Sequence, residues 1–361
     1  MDKEKKSIKS VVLQILPMVI LDVLLVGVIL LTFAFFHHVL PAIQSERESQ
    51  RMEEYFQQNQ PVRPQPSKPA QSTTPDSTDT THPDASDPGT TEPTLPKTEW
   101  QIKFADHFTD EVVITENSYT SPYVSITIDT VSYGSGWTAI TYFVADIYVA
   151  SLDNFKTYTA HNEMRYFSKQ DVLEMDAACG AILSVSGDFY SYQKTGFLMR
   201  NGYLYKSDPT YCDICVLYDN GVLATYPKNG YDHQQILDQG AVQIWNFGPS
   251  LLDENGKVYS SYKVDSHIAS DNPRSAIGYY EPGHYCLVVV DGRDHDYSVG
   301  MGIDDLAAIF EGLGCKVAYN LDGGGSAVMA FDDALYSKPS EDRDLSDIVI
   351  VVDGPPVQQE G

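Results

Sequence analysis

Acids, glycines and arginines recur at the ends of apolar runs in this chain. Asp188 follows Ser186-Gly187, Asp291 opens Asp291-Gly292-Arg293, and Asp322 precedes Gly323-Gly324-Gly325-Ser326. Carboxylates gathered in a cleft can exchange protons or attack an electrophile. Consecutive glycines permit positive φ, let a ligand approach the backbone, and can present N–H groups to an anion. Arg274 and Arg293 bring guanidinium forks that suit oxyanions. Each feature also has a plainer explanation. DG and GGGS are turn sequences, and most arginines are solvated. The set becomes a site only where the fold brings it together.

Charge sharpens the question. The chain has 361 residues and a net charge of −26, with 24 Lys+Arg against 50 Asp+Glu. That balance argues against nucleic acid as a partner. An anionic ligand would need a locally basic pocket within an acidic surface, so an Arg beside a motif is informative. Five cysteines, an odd number, do not form a disulfide framework. Cys212 and Cys215 make a lone CxxC with no second pair to complete a zinc site; a local bridge between them stays open. His267, His284 and His295 show no metal-ligand spacing and read as surface or packing residues. Calcium suits an acidic extracytoplasmic domain, but no ordered calcium loop is present and the metal is left open.

The elements that must position these residues begin near Trp100. Upstream, residues 1–10 carry four lysines and read as a cytoplasmic basic tail. Residues 11–36 are apolar apart from Gln14, Pro17, Asp22 and Thr32, long enough to span a bilayer as a signal-anchor transmembrane helix, with a cleaved signal peptide as the alternative. The positive flank places the N-terminus inside and the C-terminal side outside the cell membrane. Residues 37–98 form a polar stalk rich in Pro, Ser and Thr that cannot bury a core. Residues 99–361 are globular in composition.

Within that region, Val112–Ile114, Tyr123–Ile128, Thr138–Val149 and Ala181–Val185 have strand character. Asn201-Gly202 and Asp219-Asn220-Gly221 mark hairpins between apolar runs. Asp171–Cys179 reads as a short helix. Ser298–Leu313 is the clearest helix, with Ile303, Leu306, Ala307, Phe310 and Leu313 on one face and Gly314 as its cap. Many strands and few helices predict an α+β domain with a mixed, largely antiparallel sheet.

Seven segments occur in an order that resembles a known family: SGDFY (186–190), GFLMRNG (196–202), NFGPSL (246–251), NPRSAIG (272–278), VVVDGR (288–293), GCKVAYNLDGGGSAVM (314–329) and RDLSDIVIVVD (343–353). They look like the phosphodiester glycosidase domain, the catalytic domain type of the enzyme that uncovers mannose 6-phosphate tags by removing N-acetylglucosamine. Bacterial members are often labelled exopolysaccharide-related. The resemblance covers roughly residues 100–353. It implies hydrolysis of a sugar-1-phosphodiester at the anomeric carbon, giving free sugar and a phosphomonoester, on a phosphate-containing glycan of the envelope. It also implies roles: Asp188 and Asp322 as the acidic pair and Arg274 as the phosphate clamp. Ser186, Gly187, Asp291, Arg293, Gly323, Gly324, Gly325 and Ser326 would contact substrate. Many family members carry Asn where this chain has Ser186, which keeps a non-catalytic glycan-binding or assembly role as the alternative.

Overall fold

The structure, a computed structural model, describes residues 24–28, 30–32 and 96–356. Residues 24–28 and 30–32 are helical, and among the described residues no helix is long and apolar enough to cross a membrane. The basic tail at 1–10, most of the apolar run at 11–36 and nearly all of the stalk at 37–98 lie outside the described residues. The sheet-rich unit falls within residues 59–164 and 168–361.

Seventeen strands, numbered in chain order among the described residues, make three sheets. The first runs β1 (Val113–Ile114), β2 (Ser118–Thr120), β3 (Val124–Tyr133), β4 (Ile140–Val149), β13 (His284–Val290), β12 (Arg274–Glu281) and β14 (Val317–Asn320). The second runs β10 (Leu223–Tyr226), β9 (Ile214–Tyr218), β11 (Ala241–Trp245), β7 (Phe197–Arg200) and β8 (Tyr203–Ser207). The third runs β16 (Ala334–Leu335), β15 (Met329–Phe331), β6 (Ala181–Ser186), β17 (Asp347–Val352) and β5 (Phe155–Thr159). Every pairing among the described residues is antiparallel, so the expected mixed sheet resolves into three antiparallel ones.

The strands read as continuous apolar runs because both of their faces are covered. Along β13, Tyr285, Leu287 and Val289 enter a core shared by all three sheets, which also contains Ile126, Trp245 and Val349. The alternate residues Cys286, Val288 and Val290 pack on the opposite face with Leu306 and Phe310 of the helix Ile303–Leu313. β17 divides likewise: Val349 and Val351 join the shared core, while Ile348 and Ile350 meet Met175 of the helix Val172–Cys179. Period-two alternation thus persists but sorts residues between two apolar layers.

Local chemistry explains the joints. Asn201 and Gly202 both have positive φ, 51° and 82°, and close the β7–β8 hairpin as their sequence predicts. Asp171 caps the helix Val172–Cys179 by accepting from the Leu173 and Glu174 N–H groups. The helix expected from Ser298 starts at Ile303 instead. Ser298 is held out of it: its hydroxyl donates to the Asp291 carbonyl and accepts from the Thr141 N–H. Leu313, expected on the buried face, is 37% exposed.

Strand register gathers the sequence motifs at one end of the unit. Ile348 at the start of β17 pairs with Ser186 at the end of β6. Arg274 at the start of β12 pairs with Val290 at the end of β13, and Ala276 with Asn320 at the end of β14. Neither Asp291-Gly292 nor Asp322–Ser326 takes the plainer role of a hairpin turn. The latter leaves the first sheet at Asn320 and enters the third at Met329.

Candidate active site

The crossover Leu321–Ser326 is pinned between two sheets. The Leu321 N–H donates to the Ser275 carbonyl at 2.8 Å, and the Asp322 N–H to the Gly187 carbonyl at 2.9 Å. The buried Ser186 hydroxyl lies 2.8 Å from the Asp322 carbonyl oxygen and 2.7 Å from the Ser275 hydroxyl. Ser186 therefore braces the backbone of Asp322 from behind. Gly323 has no room for a side chain, since a Cβ there would stand 2.7 Å from the Pro273 carbonyl oxygen. Gly324, at φ +61°, donates its N–H to that same carbonyl. This N–H is committed inside the protein, so the turn does not offer three free N–H groups to an anion.

In front of the crossover lies a pocket of about 370 Å³. Asp322 and Ser326 form one side, and Phe189 and Tyr192, just past β6, form another. Arg343, Asp344 and Ser346, from the segment leading into β17, complete it with Lys169. Lys169 is brought there by an isolated bridge between its neighbour Gln170 and Leu345. Its ammonium lies 5.0 Å above the Tyr192 ring. Burial and the nearby charge of Asp188 push the Asp322 carboxyl up to about 6, against a hydrogen bond from Ser326 and the charges of Arg343 and Lys169. The pocket thus combines one carboxyl titrating near neutrality, two cations and two aromatic rings. The two cations are matched by the carboxyls of Asp322 and Asp344, so the pocket is a charge-balanced polar site that holds two cations on an otherwise acidic chain.

Beneath the pocket floor is a buried ionic network. Asp188, Arg200 and Asp347 are each no more than 2% exposed. Arg200 Nε donates to Asp347 Oδ2 at 2.8 Å. Arg200 Nη2 stands 2.9 Å from Asp188 Oδ2 and 2.8 Å from Asp347 Oδ2, ion-pair contacts whose N–H directions miss the oxygens. Nη1 donates to the Met199 and Ile244 carbonyls. The Asp188 carboxylate also accepts from the backbone N–H groups of Tyr190 and Asn246, both at 2.9 Å. Asp347 Oδ1 accepts from the Asp188 N–H at 3.0 Å. Gly187 makes this possible, because a Cβ there would run into Asp347 Oδ1.

Of the expected site residues, Asp322 and Ser326 line the pocket. Asp188 lies behind it, its carboxylate filled by internal donors, while the next residue, Phe189, lines the pocket. Arg274 is 4% exposed and spends Nε on the Met301 carbonyl and Nη2 on those of Ile268 and Ser270. It ties the Ser266–Ala269 turn of helix to β12. Burial pushes its guanidinium down to about 10. Asp291 is buried and accepts from the Tyr297 hydroxyl and the Lys338 N–H, both at 2.9 Å, with burial pushing it up to about 6. Arg293, at φ 65°, extends over the glycine turn and pairs with Glu341 Oε1. Glu341 Oε2 pairs with Arg343.

Lys169, Arg343, Glu341, Arg200 and Asp347 join the site without being marked by motif spacing. Arg200, Arg343 and Asp347 do fall within the ordered motifs, and a charge embedded in GFLMRNG or opening an apolar strand is the available signal. Among the described residues no group of three or more His, Cys, Asp or Glu is placed to hold a metal ion. Cys212 and Cys215 are free thiols, the latter buried in β9.

Residues 179–352 match the family model described as phosphodiester glycosidase. A curated relative, the SPbeta prophage-derived uncharacterized protein YomE of Bacillus subtilis (strain 168), is 27% identical over 171 residues. That match takes in 46% of this chain and only 26% of the relative's length. Among solved structures, the catalytic domain of zebrafish N-acetylglucosamine-1-phosphodiester alpha-N-acetylglucosaminidase, auto-inhibited by its pro-peptide, superposes with a TM-score of 0.52 at 19% identity. The match covers 68% of this chain and 88% of that one, and establishes a shared fold.

Proposed function

We propose, from the match of residues 179–352 to the phosphodiester glycosidase family model, that the pocket beside Asp322 hydrolyses a sugar-1-phosphodiester at the anomeric carbon. The observation that carries the reading is the placement of the Asp322 carboxyl in the same small pocket as Arg343 and Lys169, where burial pushes it up to about 6. The leaving group is a phosphomonoester, already anionic, so little proton donation is needed at that oxygen. Arg343 and Lys169 stabilise the charge it gathers as the bond breaks. The sugar ring lies against Phe189 and Tyr192. Asp322, ionised above about pH 6, supports oxocarbenium character at the anomeric carbon and either attacks it or activates water.

On this reading Asp188 and Arg274 are positioning residues. Asp188 anchors the strand end that carries Phe189, and Arg274 anchors the start of β12 behind the crossover. A cavity of about 370 Å³ suits a single sugar with its phosphate. We place the substrate among phosphate-bearing envelope glycans or exopolysaccharide, with the apolar run at 11–36 as the membrane anchor and the domain outside the cell. Protease accessibility of the domain on intact cells tests that placement.

A non-catalytic glycan-binding role is the second reading. It draws support from the Asp188 carboxylate, whose oxygens are filled by Arg200 and backbone donors. Phosphorus NMR of the full chain incubated with a panel of sugar-1-phosphodiesters separates the two. Replacement of a diester resonance by a monoester resonance supports hydrolysis. Ligand line-broadening without conversion over long incubation supports binding alone.

A further inference from the structure

We propose that Glu341 is a built-in competitor for the substrate's phosphate, occupying the seat between Arg293 and Arg343 that the phosphate takes over on binding. The inference rests on the reading of the pocket as a sugar-phosphodiester site and adds a specificity-determining residue to it. The two Glu341 oxygens are divided between two guanidinium groups, Oε1 to Arg293 Nη1 and Oε2 to Arg343 Nη2. A phosphate oxyanion recruits the same arrangement, two forks converging on separate oxygens of one anion.

The glycine turn leaves room for this anion. A Cβ on Gly325 would stand 2.5 Å from the Glu341 carboxylate carbon, and one on Gly324 would stand 3.1 Å from Arg293 Nη2. The carboxylate therefore rests on the turn at a place that a side chain at 325 would deny it. Arg343 links this seat to the reaction pocket, since it lines the pocket and its Nη1 approaches the Ser326 hydroxyl at 3.5 Å.

Glu341 can leave cheaply. The side chains of Arg293, Arg343 and Glu341 are 43%, 41% and 41% exposed, and ion pairs so open to water are weak. Neither burial nor backbone structure holds the carboxylate in place. The pairing with Arg343, followed by the charges of both arginines, also holds the Glu341 carboxyl below its ordinary range, so it competes as an anion at neutral pH. An incoming phosphodiester would exchange one anion for another at the two arginines, and Glu341 would turn to solvent.

The test is calorimetric titration of the full chain and of Glu341→Gln with inorganic phosphate at neutral pH and low salt. Glutamine keeps the shape and removes the charge. The expected result is phosphate affinity tighter by about 3- to 10-fold in the variant, the size of effect that weak, exposed ion pairs permit. The gain should vanish when Arg343→Met is added. Unchanged or weaker phosphate binding in Glu341→Gln overturns the proposal, as does absence of binding by both proteins or a gain that survives Arg343→Met. Because phosphate binding is read without turnover, tightened binding in a chain that hydrolyses no diester would leave the seat standing while the hydrolase reading fell.

Discussion

Replacing Arg200 with methionine should destabilise the domain more than any change in the pocket itself. The guanidinium is fully enclosed and stands between two carboxylates, Asp188 and Asp347, that are themselves shielded from water. Methionine fills much of the volume but leaves two buried acids facing each other without the guanidinium between them. Breaking a buried pair from one side typically costs about 3–5 kcal/mol, because the remaining charge stays desolvated. The loss of Nη1 also withdraws a donor from the Met199 and Ile244 carbonyls, adding to that cost. A loss of about 3–5 kcal/mol is a large share of the roughly 5–15 kcal/mol that holds a domain folded.

Part of this loss should be recoverable. Burial already drives the Asp347 carboxyl upward, with Arg200 opposing it; without Arg200 it takes a proton more readily still. The variant's deficit should therefore be greatest at neutral pH and shrink as pH falls. Adding Asp347→Asn, which supplies the neutral form directly, should restore about 1–3 kcal/mol as a non-additive coupling. Urea unfolding at about pH 7.5 and about pH 5 measures both effects through the midpoint at constant slope. A deficit below about 1 kcal/mol, or strict additivity with Asp347→Asn, would refute the account of a buried network that sets the pocket floor.

Other outcomes follow from the same geometry. The free-enzyme rate, kcat/KM, should rise about tenfold per pH unit below about pH 6 and level off above it, since burial and Asp188 delay ionisation of Asp322 to about 6; a pH-rate profile flat from about pH 5 to about pH 7 would contradict this. Asp322→Asn should stabilise the folded chain by about 1–3 kcal/mol at about pH 8. The sign follows because the folded carboxyl keeps its proton from 3.8 up to about 6 while the unfolded one has lost it. Wild-type stability therefore falls through that window, and the gain from Asn should disappear below about pH 4; thermal melts at both pH values check it. Lys169→Met and Arg343→Met should each lower kcat/KM by about 10- to 100-fold with little change in melting temperature, because both cations lie at the pocket surface. Gly187→Ala should cost about 1–3 kcal/mol, as its methyl group would collide with Asp347 Oδ1, and a melt indistinguishable from wild type would count against the close packing of β6 on β17.

Much of the fold is legible in the residues. β-branched and aromatic runs locate β3, β4 and β6, and Asn201-Gly202 encodes a hairpin through the positive φ of both residues. What the sequence does not display is which elements share a sheet. Asp322-Gly323-Gly324-Gly325-Ser326 encodes a sharp turn, but the turn is compatible with a hairpin or a crossover, and only pairing of β14 with β12 and of β15 with β6 decides it.

The same limit governs the site. Asp188 carries the local features of a catalytic acid, an acid after glycine at a strand end. Its partner Arg200 is near in sequence, yet the third member, Asp347, lies 147 residues beyond Arg200. No local pattern reports such a partner. Arg274 has the charge of a phosphate clamp, but its surroundings convert it to a donor to backbone carbonyls. Lys169 and Arg343 reach the pocket through the Gln170–Leu345 bridge, a tertiary contact with no signature in either segment.

The most direct test of the central claim is the rate at which the purified full chain releases free sugar from its best sugar-1-phosphodiester, measured beside Asp322→Asn. The account predicts release proportional to protein concentration, matched mole for mole by phosphomonoester, and slowed at least about 100-fold in the variant. Turnover undiminished in Asp322→Asn, or saturable binding of every diester with no product, would contradict it.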